Sequence, residues 1–137
     1  MNEARTADRL AIGELLSRYA WSLADRDWSA WQACFTADAH ADYTTAGGVA
    51  GTPADAAAWL EQTMSMFDVA VGHTGNVVID FLDDDTAAVR SMYKMVMRIP
   101  GDAPTYMEAC GYYRDKVVRD RSGWLLADRV EHLLYIR

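Results

Sequence analysis

The chain has 137 residues, of which 51% are hydrophobic and 24% are charged, a balance that fits one globular domain and argues against disorder. Its 20 acidic and 13 basic side chains give a formal net charge of −7. This charge argues against nucleic acid or an anionic membrane surface as a partner, because both bind basic surfaces.

The first half of the chain predicts helices. Apolar residues recur at helical spacing over residues 6–25, from Leu10 to Leu23, with charged residues on the other side. A second, short helix is predicted at residues 28–35, where aromatic residues are spaced by three and four. Residues 39–43 are compatible with a first short strand.

The clearest local signal marks the start of a third helix. Thr52 is a candidate N-cap, Pro53 suits the first helical position, and Asp55 stands three residues after the cap. Apolar residues at helical spacing then continue from Ala57 to Phe67. The pattern predicts a helix that begins directly after Thr52.

The second half of the chain predicts strands. Four segments separated by turn signals are expected, at residues 77–82, 87–99, 106–119 and 124–135. Their short connections make them sequential antiparallel hairpins. Helices followed by such a meander predict a single α+β domain over residues 1–137, in which helices cover the apolar face of a curved sheet and enclose a pocket.

The two cysteines, Cys34 and Cys110, stand alone and lack the spacing of metal ligands. We therefore expect reduced thiols in a cytoplasmic protein without a metal site. Residues 1–5 lack the apolar region of a signal peptide, and no apolar run reaches membrane-spanning length. The 5 Trp, 7 Tyr and 7 Met side chains fit either a core of large residues or an aromatic-lined pocket for a hydrophobic small molecule.

Three stretches, taken in order, carry a family resemblance. The first is AIGELLSRYA at residues 11–20, which continues to DW at 27–28 and FTADA at 35–39. The second is HTGN at 73–76, and the third is GYYRD at 111–115 followed by GWLLADR at 123–129. In this order and spacing they resemble the NTF2-like (SnoaL-like) superfamily. The similarity is to the branch of small dehydratases, dehydrochlorinases, ketosteroid-isomerase-like enzymes and polyketide cyclases. The resemblance implies a cone-shaped fold with an internal pocket, chemistry without a cofactor, and a homodimer or homotrimer.

The resemblance also implies a catalytic set: a tyrosine on the first helix, an aspartate near the end of that helix, and a histidine at the entry of a strand. Tyr19 and His73 match the tyrosine and the histidine. The aspartate position holds Ala24, and Asp25 is the next residue along. One residue turns a helix by about 100°, so the neighbouring carboxylate does not simply substitute.

Three interpretations of Ala24 are open. The end of the helix could unwind, so that Asp25 orients the His73 imidazole and raises its basicity. His73 could instead act alone or with a carboxylate from elsewhere. In the third interpretation the aspartate-dependent chemistry is absent, which leaves a binding protein or a different reaction.

Four further residues are candidates for the substrate pocket. Tyr43 and Tyr93 either line the pocket or pack in the core. Glu108, in an apolar stretch, suits a general acid or base if it is buried and an ion pair if it faces outward. Arg129 could hold a substrate anion, anchor a carboxylate or form a surface ion pair.

Together these residues predict a cofactor-independent lyase, isomerase or cyclase that acts on a hydrophobic small molecule of secondary metabolism or of ring-compound catabolism. His73 is the expected base, and Tyr19 is expected to polarise the substrate oxygen. The alternative is a non-catalytic ligand-binding or regulatory module, which the alanine at position 24 favours.

Overall fold

Three α-helices and six strands make up the computed structural model, which describes residues 3–137, with side chains from residue 5 onward. Residues 1 and 2, at the start for which no signal peptide is predicted, lie outside the described residues. The elements are α1 (Glu3–Asp25), α2 (Trp28–Gln32), β1 (Phe35–Asp42), β2 (Ala50–Gly51), α3 (Pro53–Met64), β3 (Val69–Phe81), β4 (Thr86–Ile99), β5 (Thr105–Asp120) and β6 (Gly123–Ile136). None of the described helices is both long and apolar enough to cross a membrane.

All six strands belong to one curved sheet in the order β2-β1-β6-β5-β4-β3. The strands β3 to β6 are sequential antiparallel neighbours, as their short connections predict. The strand β1 lies parallel to β6, and Ala41 is in register with Arg129. The arrangement confirms the predicted α+β fold class.

The start of α3 confirms the capping signal in the sequence. The Thr52 hydroxyl accepts a hydrogen bond from the Asp55 amide, and the Asp55 carboxylate accepts one from the Thr52 amide. These reciprocal bonds satisfy two backbone donors that a helix start otherwise leaves unpaired. They fix where α3 begins and hence where its apolar face meets the sheet.

The predicted boundaries of the second helix, of the first strand and of β3 differ from those in the structure. Phe35 does not end the second helix but begins β1, where it pairs with Leu126. The strand β3 begins at Val69 rather than at Val77. Its first half contains glycines that resemble turn signals, but pairing with β4 along the whole length overrides this local preference. A bulge at Asn76, whose φ is 52°, carries the strand through.

Irregularities in β6 decide which of its residues face inward. Lys116 pairs with Asp128 and Val117 with Leu126, so that Ala127 is an extra residue on β6. Such a bulge reverses the alternation of side chains beyond it. Leu126 and Arg129 therefore both point to the interior, although they differ in parity.

The helices α1 and α3 cover the inner face of the sheet. The start of α1 is anchored by the buried Asp8, whose carboxylate accepts hydrogen bonds from Arg119 Nη1 at 2.7 Å and from Trp124 Nε1 at 3.1 Å. The opposite face of the sheet carries exposed ion pairs such as Lys94 with Glu108. The inner face therefore holds the core and the cavity described next.

Candidate active site

A cavity of about 210 Å³ lies between the sheet and the helices α1 and α3. Four tyrosines line it: Tyr19 from α1, Tyr43 after β1, Tyr93 from β4 and Tyr113 from β5. Five methionines contribute much of the remaining wall: Met64, Met66, Met95, Met97 and Met107. A mostly apolar wall with a few polar groups is typical of a site for a hydrophobic small molecule.

Two of these tyrosines are joined by a hydrogen bond between the hydroxyls of Tyr19 and Tyr43. Burial raises the pKa of both phenols above the ordinary value, so both stay protonated at neutral pH. One hydroxyl donates to the other, which leaves the second proton free to point at a ligand. The pair can therefore stabilise negative charge that develops on a substrate oxygen.

Behind this wall, Arg129 and Asp115 form a buried ion pair. Arg129 Nε and Nη2 each donate a hydrogen bond of 2.8 Å to the Asp115 carboxylate. The guanidinium lies 4.3 Å from the ring centre of Tyr19 and 3.8 Å from that of Tyr113. Burial opposes the charge on Arg129, but Asp115 outweighs it and holds the Arg129 pKa well above its usual value. Arg129 thus anchors a carboxylate and orients two rings of the cavity.

Glu131 is the acidic group among the described residues that line the cavity. Its side chain is buried, and Oε1 has no hydrogen-bond partner among the described residues. Burial raises the pKa of Glu131 to about 7, against the opposing effects of the Tyr93 hydroxyl and of Arg129. A carboxyl with this pKa exists in both protonation states at neutral pH and can both accept and return a proton.

Backbone contacts hold Glu131 and Tyr93 in place. The Thr45 hydroxyl donates to the Glu131 carbonyl at 3.0 Å and accepts from the Leu133 amide at 2.9 Å. Gly111 lies beneath the Tyr93 ring, and a Cβ atom there would be 2.9 Å from the Tyr93 hydroxyl oxygen. The glycine therefore leaves the space that lets Tyr93 approach Glu131.

His73 lies elsewhere. It is exposed and lines a groove between α1 and β3, together with Trp21 and Ala24. On β3 the neighbours of His73, Gly72 and Thr74, line a smaller cleft next to Tyr93. The His73 side chain forms no hydrogen bond and no ion pair with any of the described residues.

Asp25 is the last residue of α1, which remains helical up to that point. Its exposed side chain lines a different surface depression, next to Cys34. The residue of α1 that shares the groove with His73 is Ala24. The structure therefore does not bring Asp25 and His73 together.

The other predicted pocket residues divide into two groups. Tyr43 and Tyr93 line the cavity. Glu108 lies on the outer face of the sheet, 2.8 Å from Lys94 Nζ and 3.1 Å from Arg137 Nε. These cations lower the pKa of Glu108 below its ordinary value. Glu108 faces outward because it shares its face of β5 with Cys110 and Tyr112.

Both cysteines are free thiols, with Cys34 buried and Cys110 half-buried. Within residues 3–137, no cluster of three or more His, Cys, Asp and Glu side chains is arranged to hold a metal ion.

The fold and the cavity together define the class of protein. The sequence matches the SnoaL-like domain over residues 4–130, and the chain belongs to this family. Relatives at 32% identity are the "uncharacterized protein Rv2910c" of Mycobacterium tuberculosis and the "uncharacterized protein Mb2934c" of Mycobacterium bovis. Each match covers 96% of this chain and 88% of the relative.

Solved structures show the same fold. A scytalone dehydratase-like protein of Novosphingobium aromaticivorans superposes with a TM-score of 0.88 at 22% identity, covering 100% of this chain and 91% of that one. A hexachlorocyclohexane dehydrochlorinase, LinA type 2, superposes with a TM-score of 0.82 at 16% identity, covering 100% and 92%. These likenesses establish the NTF2-like architecture.

Sequence reasoning missed Glu131 and Asp115. Both lie on strands that were predicted, but the bulge at Ala127 decides that Arg129 and Glu131 face inward. A usable signal was present, because Asp115 and Arg129 both fall in the segments that carry the family resemblance. A charged residue of each sign in facing strands is a reason to expect a buried pair.

Proposed function

We propose that the chain is a cofactor-independent enzyme that moves a proton on a hydrophobic small molecule bound in the cavity. The observation that carries this proposal is Glu131, a buried carboxyl in the cavity wall with an unpartnered oxygen and a pKa of about 7. Perturbed acids in apolar pockets are candidates for general acid–base catalysis. The reaction class is lyase, isomerase or cyclase.

The chemistry assigned to the site has two parts. The ionised Glu131 accepts a proton from a carbon next to an electron-withdrawing group. The Tyr19–Tyr43 pair donates a hydrogen bond to the oxygen on which negative charge develops. Glu131 then returns its proton to a leaving group or to another carbon. Elimination, isomerisation and ring closure share this first step.

Two structurally similar proteins favour elimination among these three reactions. The scytalone dehydratase-like protein and the hexachlorocyclohexane dehydrochlorinase have names that describe the loss of water and of hydrogen chloride. Both reactions remove a proton from carbon and expel a leaving group. A proton acceptor inside an apolar cavity suits this class without a metal or cofactor.

His73 as the base, with Tyr19 as the donor, stays a prediction, but the geometry does not support Asp25 as its orienting carboxylate, because Asp25 lines a different depression. Catalysis by His73 requires a substrate that reaches the groove beside Trp21 and Ala24. Catalysis by Glu131 requires only that the substrate occupy the cavity. The two assignments therefore differ in which residue turnover depends on.

Hydrogen–deuterium exchange at carbon tests the proposal without the natural substrate. A two-ring ketone, 1-tetralone, is incubated with the protein in heavy water, and loss of the proton signal next to the carbonyl is followed by NMR. Glu131→Gln should slow the protein-catalysed exchange by about 10²–10⁴-fold. Glu108→Gln, the same change on the outer face, should leave it unchanged.

The outcome separates the two bases. If Glu131→Gln exchanges as fast as the unmodified chain, the assignment of Glu131 is wrong. If His73→Ala abolishes exchange and Glu131→Gln does not, His73 is the base. If Glu131→Gln loses exchange and His73→Ala keeps it, the result supports Glu131 as the base and the cavity as the place of reaction.

The alternative function is a non-catalytic ligand-binding or regulatory module. The observation that favours it is Ala24, which lies in the groove of His73 at the position of the family's aspartate. This alternative predicts that 1-tetralone raises the melting temperature of the protein but exchanges no faster than in buffer.

The remaining expectations are part of the same proposal. They are a single domain over residues 1–137, a homodimer or homotrimer, a cytoplasmic location and a place in secondary metabolism, such as polyketide cyclisation. Light scattering at micromolar concentration tests the oligomer, and a monomeric mass would contradict it.

A further inference from the structure

We infer that the cavity also binds hydrophobic amines, whose protonated nitrogen pairs with the Glu131 carboxylate inside a cage of aromatic rings. The inference rests on the cavity of the proposed function but not on catalysis. It names a class of ligand, small aromatic or alicyclic amines, that the proton-transfer proposal does not require.

The charges of the described residues around Glu131 leave it without a cation of its own. The cation that acts on Glu131, Arg129, already gives two hydrogen bonds of 2.8 Å to Asp115. Asp42, at the end of β1, adds a second negative charge that acts on Glu131. The described residues that line the cavity include no Lys, Arg or His. An ionised Glu131 therefore lacks a partner of opposite charge, and a ligand cation would supply one.

The walls of the cavity are rich in aromatic rings and methionine side chains. Tyr43, Tyr93 and Trp59 line the cavity, and the ring centres of Tyr43 and Trp59 are 5.9 Å apart. The faces of such rings attract cations, and the attraction grows where water is excluded. The methionine thioethers of the wall are polarisable and adapt to irregular apolar ligands. A net charge of −7 adds long-range attraction for a cation.

The size of the cavity limits the ligand. A cavity of about 210 Å³ is small, so that it suits a molecule of one or two rings. The unpartnered Oε1 of Glu131 gives such a ligand one strong polar contact, since a buried charge-assisted hydrogen bond is stronger than a neutral one. The rest of the ligand contacts apolar wall.

The pairing predicts a pH dependence. The groups that act on Glu131 are Tyr93 on β4, Arg129 on its own strand and Asp42 on β1, and Tyr19 of α1 and Tyr113 of β5 face it in turn. At pH 6 the carboxyl is mostly protonated, so that an ammonium must displace a proton to bind. At pH 8 the carboxylate is already present. Amine affinity should therefore rise from pH 6 to pH 8, with proton release at the lower pH.

Calorimetry with a matched pair of probes tests the inference. The probes are 1-naphthylmethylamine and 1-naphthalenemethanol, which differ mainly in the charged nitrogen. At pH 8 the amine should bind at least tenfold more tightly than the alcohol. Glu131→Gln should weaken the amine tenfold or more and leave the alcohol unchanged, whereas Glu108→Gln should alter neither. At pH 6, two buffers of different ionisation enthalpy should report release of a proton.

Several results would overturn the inference. They are equal affinity for amine and alcohol in the unmodified chain, unchanged amine affinity in Glu131→Gln, or no proton release at pH 6. Failure of both probes to bind would also overturn it. The proton-release measurement uses the unmodified chain, so it stands even if Glu131→Gln does not fold. Exchange of 1-tetralone is measured separately, so failure of catalysis and failure of amine binding are distinguishable.

Discussion

The Arg129 guanidinium is fixed on one side by Asp115 and lies 3.8 Å from the ring centre of Tyr113. Two parallel hydrogen bonds to one carboxylate set both its position and its plane. The same arginine lies over Tyr19, whose hydroxyl bonds to that of Tyr43. The ion pair therefore positions the end of the cavity where the Tyr19–Tyr43 pair lies.

Asp115→Asn should destabilise the protein strongly. The side chains of Asp115 and Arg129 are 0% and 1% exposed, so the substitution leaves a buried guanidinium without its counter-charge. Breaking such a pair from one side costs about 3–5 kcal/mol. Urea unfolding followed by tryptophan fluorescence measures the change in the free energy of unfolding.

The matched control is Asp68→Asn, which removes an aspartate that pairs with Arg98 on the surface. Both of these side chains are 37% exposed, so water replaces the lost partner and stability should change little. Equal losses in the two variants would mean that the buried pair does not carry the stability assigned to it.

Glu131→Gln should make the protein more stable, and increasingly so as the pH rises. The pKa of Glu131 is raised from 4.5 to about 7 by burial, so between these values the native state binds a proton that the unfolded state has lost. The free energy of unfolding then falls as pH rises through this window, by about 3 kcal/mol in total. Glutamine does not titrate, so the variant lacks this pH-dependent loss in the free energy of unfolding.

Urea unfolding of both chains at pH 4 and pH 8 measures the difference. The advantage of Glu131→Gln should grow toward pH 8. Glu108→Gln provides a control of opposite sign, because the pKa of Glu108 is lowered by Lys94 and Arg137 and its ion pairs contribute only above that pKa. Parallel pH profiles for the unmodified chain and Glu131→Gln would exclude a raised pKa at Glu131.

Local sequence rules predicted the parts of the fold that local chemistry decides. The capping box at Thr52 and the turn signals between β3, β4, β5 and β6 are set by residues close together in the chain. Alternation along β4 also explains why Tyr93, a candidate for either the pocket or the core, points inward, whereas Tyr43 lies after the end of β1.

The sequence did not predict the site residues whose inward or outward facing depends on strand register. The extra residue at Ala127 turns Arg129 and Glu131 inward, and no local sequence pattern predicts this bulge. His73 instead faces outward, because it is in register with the exposed Lys94 and lies on the same face of the sheet. A histidine on a family motif was expected in the pocket, yet the facing of a side chain depends on pairing between distant segments.

Removing either hydroxyl of the Tyr19–Tyr43 pair should cost stability and ligand binding together. Tyr19→Phe leaves the buried Tyr43 hydroxyl without this partner, and Tyr43→Phe does the converse. A buried polar group without a partner costs about 1–3 kcal/mol. The double variant should lose less than the sum of the two single variants, because no orphaned hydroxyl remains. Thermal unfolding of the four chains measures this coupling, and strict additivity would contradict it.

Gly111→Ala should destabilise the protein and disturb the Glu131 site. A Cβ atom at this position would overlap the His132 carbonyl oxygen and lie 2.9 Å from the Tyr93 hydroxyl oxygen. Because one contact is backbone, relief requires movement of β5 or β6, and overpacking of this kind costs about 1–3 kcal/mol. Displacement of the Tyr93 hydroxyl also removes an interaction that lowers the pKa of Glu131, so that pKa should rise further.

Gly13→Ala is the control for Gly111→Ala, since it makes the same chemical change in α1, where a Cβ atom would meet nothing within 4 Å. Alanine in a helix interior should stabilise by about 0.5–1 kcal/mol. Opposite signs of the two changes in urea unfolding are the expected result. If Gly111→Ala were neutral and left the pH profile of stability unshifted, Tyr93 would not depend on the space that this glycine provides.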